Sequence, residues 1–304
     1  MVSRTDVVVA ARRIGGRVHR TPVLTSRTID AMLGAEIHFK CENQQRAGAF
    51  KIRGATNAVR SLPADTEVVA THSSGNHGAA LALAAAEAGL QAIIVVPRDA
   101  RASKRVAIER YGAEIVTCEP TLAAREAALE AVCRRTGATF VPPYDDERII
   151  AGAGTAALEF LEDCPDLEQI WVPVGGGGLA AGTVVAAGGS AEVILAEPAM
   201  ACDAKASLTT GVLRDALPPK TIADGLRTAL GKRNFEILYN ARTPVCLASE
   251  EGIRGWTERV AEIMKIVIEP SAAVALAAMA EHRDTATGRV GVILSGGNAP
   301  LKAA

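Results

Sequence analysis

Between residues 68 and 145, short β-branched runs alternate with Ala/Leu-rich segments of helical period, and a glycine closes each of the latter. This alternation calls for a parallel sheet wrapped by helices, since parallel strands are joined through helical crossovers that cover both faces. Val68 to Thr71 reads as a strand, Asn76 to Ala88 as a helix stopped by Gly89, and Ala92 to Val96 as a strand ended by Pro97. A helix over Ala102 to Tyr111 precedes Gly112, a strand lies near Ile115 and Val116, a helix over Leu122 to Arg135 precedes Gly137, and Phe140 and Val141 form a strand. Glycine directly after a helix is the usual left-handed stop.

A second series follows, with strands over Ile170 to Val174, Val193 to Ala196 and Val290 to Leu294, and helices over Leu179 to Ala187, Ser249 to Met264 and Ser271 to His282. The 304 residues suit roughly two domains at ~150 residues each. With no Pro/Ser-rich linker and no repeat, the two are expected to share an interface and a cleft. Ligands of open α/β sheets sit outside the carboxyl ends of the strands. Three glycine-bearing turns fall there: Ser73 to Gly78, Gly175 to Gly178, and Ser295 to Asn298.

Charge and cysteine usage exclude several classes. Lys and Arg number 33 against 34 Asp and Glu, without the basic excess that phosphate-backbone binding needs, so nucleic acid is not an expected partner. Six cysteines are scattered without metal-ligand spacing, which fits a reduced cytoplasmic interior. Val7 to Ala11 is too short for the apolar core of a signal peptide. Gln169 to Ala191 is uncharged for 23 residues, but its seven glycines and Pro173 argue for strand, loop and helix rather than a membrane span.

The turns have distinct chemistry. Gly175 to Gly178 joins a strand to a helix, where successive backbone N–H groups and the helix N-terminus favour a phosphate. It lacks the G-K-[S/T] of a nucleotide P-loop. Gly176, Gly178 and Ala181 also fit G-x-G-x-x-A, with Glu197 placed 19 residues after Gly178 as a ribose-binding acid, so a dinucleotide-binding oxidoreductase is the rival from another class. Ser73 to Gly78 offers small residues and donors at a helix start, suited to a carboxylate, although an ordinary helix cap explains the same residues. Two anion cradles would suit a phosphorylated cofactor facing an amino or hydroxy acid.

The heptad Ala49-Phe50-Lys51-Ile52-Arg53-Gly54-Ala55 decides between these readings. With the three turns it resembles the lysine motif of fold-type II pyridoxal-phosphate enzymes, specifically the serine racemase and serine/threonine dehydratase family. The resemblance runs from about Arg20-Thr21-Pro22 to Asn298 and includes Lys40-Cys41-Glu42-Asn43, Ile150 to Thr155 and Thr221 to Gly225. It implies two open, mostly parallel α/β domains with the cofactor in the cleft between them: a small domain of residues 68–145 inserted into a large one of 1–67 plus 146–304. It also implies a homodimer, and a length used up by the catalytic core.

By that resemblance, Lys51 forms the internal Schiff base with pyridoxal 5'-phosphate, Phe50 packs near the ring, Asn76 donates to the ring hydroxyl oxygen, and Gly175, Gly176, Gly177 and Gly178 hold the phosphate. Ser295 meets the pyridine nitrogen, and a neutral hydroxyl there makes the ring a weaker electron sink, which favours elimination or local proton transfer over transamination. Ser73, Ser74, Gly75, Asn76 and His77 belong to the loop that holds the substrate carboxylate. Lys51 removes the Cα proton on one face, and Ser74 matches the acid/base that racemases use on the other. Glu197, Ala201 and Asp203 keep the spacing of a Mg²⁺ or Ca²⁺ site in the racemase-like branch, suited to a hard cation; two surface carboxylates are the plainer account.

The implied activity is dehydration of L-serine and L-threonine to a 2-oxo acid and ammonia, with serine racemisation open to the same residues. A predominant racemase and a 3-hydroxyaspartate ammonia-lyase are the alternatives within the class. Tyr144, where animal racemases have asparagine, leaves the substrate side chain undecided. Arg227 is expected at the surface rather than on an acidic substrate.

Overall fold

The computed structural model describes residues 1–215 and 220–299. Its strands are β1 (Val23–Thr25), β2 (Glu36–Lys40), β3 (Val68–Thr71), β4 (Gln91–Pro97), β5 (Glu114–Cys118), β6 (Thr139–Phe140), β7 (Gln169–Pro173), β8 (Glu192–Pro198), β9 (Val245–Ala248) and β10 (Arg289–Ile293). The first six helices are α1 (Arg4–Ile14), α2 (Arg27–Leu33), α3 (Lys51–Val59), α4 (Asn76–Ala88), α5 (Ala102–Glu109) and α6 (Leu122–Thr136). The remainder are α7 (Glu147–Asp163), α8 (Gly178–Ala187), α9 (Asp203–Thr210), α10 (Lys232–Asn240), α11 (Glu250–Met264) and α12 (Pro270–Glu281).

The strands form two sheets: one of six strands, ordered β1-β2-β10-β7-β8-β9, and one of four, ordered β5-β4-β3-β6. Only β1 runs antiparallel, against β2. The expected strands and helices of both series are present within a few residues. Gly89, Gly112 and Gly137 all take left-handed φ, at 73°, 76° and 71°; Gly89 and Gly137 are the C-caps of α4 and α6, whereas α5 ends earlier, at Glu109 with Arg110 as its cap, and Gly112 turns the chain just beyond it. The uncharged stretch is divided among β7, the tetraglycine turn and α8, and no described helix is long and apolar enough to cross a membrane.

Period-2 alternation separates the cores. Ile170, Val172, Val193 and Leu195 face α1, α7 and α8, whereas Trp171, Ile194 and Ala196 face α11 and α12. In the smaller sheet, Val69, Ile94 and Val96 pack with α4, and Ala70, Ile93 and Val95 pack with Leu129 and Val132 of α6. Helix α3 lies outside residues 68–145, yet its Ile52, Ala55, Ala58 and Val59 join the smaller sheet's core together with Ile149.

Glycines let three helices stack almost backbone to backbone. A Cβ at Gly152 of α7 would lie 2.7 Å from Gly54 Cα of α3, and one at Gly182 of α8 would lie 2.5 Å from Ile150 O of α7. Helix α7 therefore fixes the helix that begins with Lys51 against the one that begins with the tetraglycine turn.

Candidate active site

Lys51 is the first residue of α3, after Phe50 at the N-cap. The chain before it is tied to the end of β10: Ala49 forms an antiparallel bridge with Gly296, and Phe50 N–H donates to Ser295 O at 3.0 Å. Lys51 and Ser295 are thereby brought together although 244 positions separate them in the sequence. The Lys51 amine donates to Pro143 O at 2.8 Å and lies 5.0 Å from the Phe50 ring centroid and 6.0 Å from that of Tyr144. Burial pulls it down to about 8, and the Glu269 carboxylate opposes that fall.

Below Lys51, Arg53 is fully buried and grips Glu42 with two bonds of 2.8 Å. Two further bonds of 2.8 Å reach Glu159. Thr21 donates to Glu42 at 2.6 Å, and buried Lys40 donates to Thr21 O and pairs with Glu159, each at 2.9 Å. The Lys40 to Asn43 motif is thus part of the bed beneath α3, a bed that closes only if every charge is paired.

The tetraglycine turn follows β7. Gly177 has φ +90°, and no side chain caps α8, so the first turn keeps donors free for an anion. Gly176 O accepts from Gly231 N at 3.1 Å and Asn234 Nδ2 at 2.6 Å, fixing the turn from behind. A Cβ at Gly176 would lie 2.4 Å from the Tyr144 ring, so the backbone of the turn rests on that ring.

Ser73 to Gly78 runs from β3 into α4. The ordinary helix-cap account does not hold, because no side chain caps α4. Ser73 Oγ instead accepts weakly from Gly75 N–H at 3.4 Å, and Ser74 is half-buried in the turn. His77 is buried and donates through Nε2 to Val141 O at 3.1 Å; desolvation, with Lys51 nearby, lowers it to about 3, so it is neutral. Asn76 donates through Nδ2 to Glu269 Oε1 at 2.9 Å. Glu269, Pro143 O and Asn234 carry no mark in the sequence; Glu-Pro before an Ala-rich helix is a visible start signal for α12, but gives no hint of where the carboxylate points.

Glu197 and Asp203 lie behind the tetraglycine turn: Val174 N donates to Ala196 O at 2.9 Å, and Leu230, which packs on Gly177, is the residue whose N–H donates to Asp203. Glu197 is buried at the end of β8, and its oxygens accept from Ala204 N at 2.7 Å and Lys205 N at 2.8 Å in the first turn of α9. Burial pushes it up to about 8, with Asp203 adding to the rise. Asp203 accepts from Leu230 N at 3.0 Å, and Ala201 is buried in the short turn between them. Two desolvated acids and a nearby carbonyl suit a hard cation, with water completing its shell. Among the described residues, no cluster of three or more His, Cys, Asp or Glu is positioned to hold a metal. Arg227 donates to Thr221 O at 2.6 and 3.0 Å and pairs with Asp224 at 3.3 Å, so it braces its own loop.

Residues 14–296 match the model of the pyridoxal-phosphate dependent enzyme family. The chain belongs to that family. It is 42% identical to a serine racemase of Dictyostelium discoideum over 99% of this chain and 96% of that protein, whose crystal structure superposes with a TM-score of 0.94. It is 41% identical to a beta-hydroxyaspartate dehydratase of Paracoccus denitrificans (strain Pd 1222), covering 97% and 96% of the two chains. The crystal structure of a T.th. threonine deaminase matches with a TM-score of 0.95 at 38% identity, covering 99% and 100%. As a pyridoxal-phosphate enzyme with two parallel α/β sheets, the chain has the fold expected from its motifs, and the dinucleotide-binding alternative falls away. The residues present fit the cofactor: the Lys51 amine lies beside His77 of α4's uncapped first turn and beside the Tyr144 ring on which Gly176 rests, and buried Ser295 is hydrogen-bonded to the neighbouring Phe50.

Proposed function

We propose that this chain is a pyridoxal-phosphate dependent ammonia-lyase that dehydrates L-serine and L-threonine to 2-oxo acid and ammonia, with serine racemisation open to the same residues. The observation that carries this is the meeting of a partly neutral Lys51 with two free helix N-termini and Ser295.

Bound in the cleft, pyridoxal phosphate supplies an electron sink for the negative charge that develops at the amino acid's Cα. Gly175 to Gly178 would hold its phosphate through the N-terminus of α8, Lys51 would bind it covalently, Phe50 would flank it, and Ser295 and Asn76 would serve its ring nitrogen and ring hydroxyl. The free N–H groups of α4, with Ser73, Ser74, Gly75 and His77, receive the substrate carboxylate. His77, neutral at any working pH, holds the loop to Val141 without adding charge. Lys51 would be the base that takes the Cα proton, for which a pKa of about 8 keeps part of the amine unprotonated near neutrality. Loss of the β-hydroxyl as water then leaves an enamine that water converts to 2-oxo acid and ammonia. Return of a proton from Ser74 on the other face inverts the amino acid.

A 3-hydroxyaspartate substrate has the Paracoccus relative in its favour, but Arg227 is committed to Thr221 and Asp224 and gives it no support. A predominant racemase would need Ser74 to outpace elimination. A Mg²⁺ or Ca²⁺ ion at Glu197, Ala201 O and Asp203 is supported by two acids withdrawn from solvent on either side of the short turn that carries Ala201. The division into residues 1–67 plus 146–304 and 68–145 is supported by the strands of the smaller sheet all falling within 68–145, while α3 packs on both α4 and α7. A homodimer rests on the family resemblance, and a cytoplasmic location on the scattered cysteines and the short apolar run at Val7 to Ala11.

Absorbance of the purified protein tests the class. A band near the visible edge that is lost in Lys51→Ala is expected; no band after cofactor addition refutes it. Incubation with L-serine, followed by pyruvate and chiral amino-acid analysis, measures elimination against inversion.

A further inference from the structure

Glu269 is the N-cap residue of α12, yet its side chain does not cap that helix. The carboxyl turns toward α4 instead, where Oε1 accepts from Asn76 Nδ2 at 2.9 Å. Glu269's own N–H is anchored on Gly296 O at 3.0 Å. On the other side of the Asn76 amide, Oδ1 accepts from Asn298 Nδ2 at 3.0 Å, and that nitrogen also donates to Ala47 O at 2.8 Å. Both ends of the Asn76 carboxamide are therefore held, and an amide flip would set donor against donor and acceptor against acceptor.

The pocket around the carboxyl is closely fitted. A Cβ at Gly296 would stand 2.7 Å from Glu269 Oε1, and one at Gly225 would stand 3.8 Å away. The charged groups that face it are Lys51 from α3, Lys104 from α5 and Asp224 from the loop before α10. Asn76 belongs to the smaller sheet's helix α4, whereas Glu269, Gly296 and Asn298 belong to segments of the larger sheet. The carboxyl is thus the tie that holds the carboxamide of one sheet's helix to the loops of the other.

We propose that Glu269 is a positioning residue: by accepting one Asn76 N–H it fixes the amide orientation and leaves the second N–H as the donor for the cofactor's ring oxygen. The proposal rests on the pyridoxal-phosphate reading above. Glu269→Gln keeps one acceptor but loses the carboxylate charge that strengthens the bond from Asn76 Nδ2, and its NH₂ competes for the same position.

The test is a double-mutant cycle on the holoenzyme with Glu269→Gln, Asn76→Ala and the pair, reading the apparent cofactor dissociation constant and the ratio of long- to short-wavelength absorbance bands. Each single change should weaken cofactor binding about tenfold, and the pair no more than about threefold beyond Asn76→Ala alone, because contacting groups are non-additive. Any effect of the lost charge on Lys51 survives in the Asn76→Ala background and is thereby separated. Asn298→Ala, which removes the other support of the same amide, should shift the band ratio in the same direction and keeps the question open to measurement if Glu269→Gln folds poorly. Additive effects, or a Glu269→Gln spectrum and affinity equal to the wild type's, would overturn the proposal. A wild-type protein with no cofactor band would instead refute the reading beneath it.

Discussion

Replacing Gly182 with alanine tests whether the glycine contact between α7 and α8 sets the position of the tetraglycine turn. The new methyl would lie 2.5 Å from Ile150 O, 2.6 Å from Gly154 N and 2.9 Å from Gly154 Cα, all backbone atoms that no rotamer change can move. Ordinary contact begins at 3.4 Å, so the helices must part by about 0.9 Å on the closest pair. Overpacking of this kind costs about 1–3 kcal/mol, and backbone obstruction on all sides places it at the upper end. Alanine regains about 1 kcal/mol of helix propensity, leaving a net loss of about 2 kcal/mol. For a chain of this size that is a fall of roughly 4 °C in melting temperature. The same displacement moves the N-terminus of α8, so cofactor affinity should fall with it. Gly255→Ala in α11 is the control: its nearest neighbour is the tip of the Arg259 side chain at 2.6 Å, which can swing aside, so it should stabilise by up to about 1 kcal/mol. Thermal melts and cofactor titration of both variants read the result. A Gly182→Ala protein as stable as Gly255→Ala, with unchanged cofactor affinity, would refute the reasoning.

Glu42→Gln takes away one of the two carboxylates that neutralise buried Arg53, leaving Glu159 alone with it, and should cost about 3 kcal/mol by denaturant titration, whereas loss of an exposed pair such as Arg98–Glu119 should be nearly silent. Ser74→Ala should abolish formation of D-serine and spare elimination from L-serine; equal loss of both in the chiral and pyruvate assays would count against two separate proton-transfer faces. His77 is held well below its usual range, to about 3, so the folded state resists its protonation: stability is complete above about pH 6.5 and falls as pH drops toward 3, by at most about 1.4 kcal/mol per unit. Urea unfolding across that window should show this slope, and His77→Gln should remove it; a slope retained in the variant would assign it to another group.

The sequence carried what is local. Gly89 and Gly137 announce helix ends because a left-handed residue turns the chain there, and both are C-caps; Gly112 takes the same conformation in the turn after α5 has already ended at Glu109. β-Branched runs with glycine-rich exits mark the strands and the three turns, and the order of the motifs along the chain is enough to name the family. Neither the short strand β1 nor β9 has a periodic pattern long enough to be read, and both are unmarked in the sequence.

Only the tertiary structure decided what distant segments do to one another. The strand order puts β10 between β2 and β7, so that Ser295 meets the chain before Lys51. Asn76 finds Glu269 across 193 positions, and Arg53 finds Glu159 across 106. In the sequence these acids look like any solvated carboxylate, and Gly154 and Gly182 look like weak points in two helices. A side chain's charge state and a glycine's necessity are set by what packs against them, and that is a property of the assembled core rather than of the neighbours along the chain.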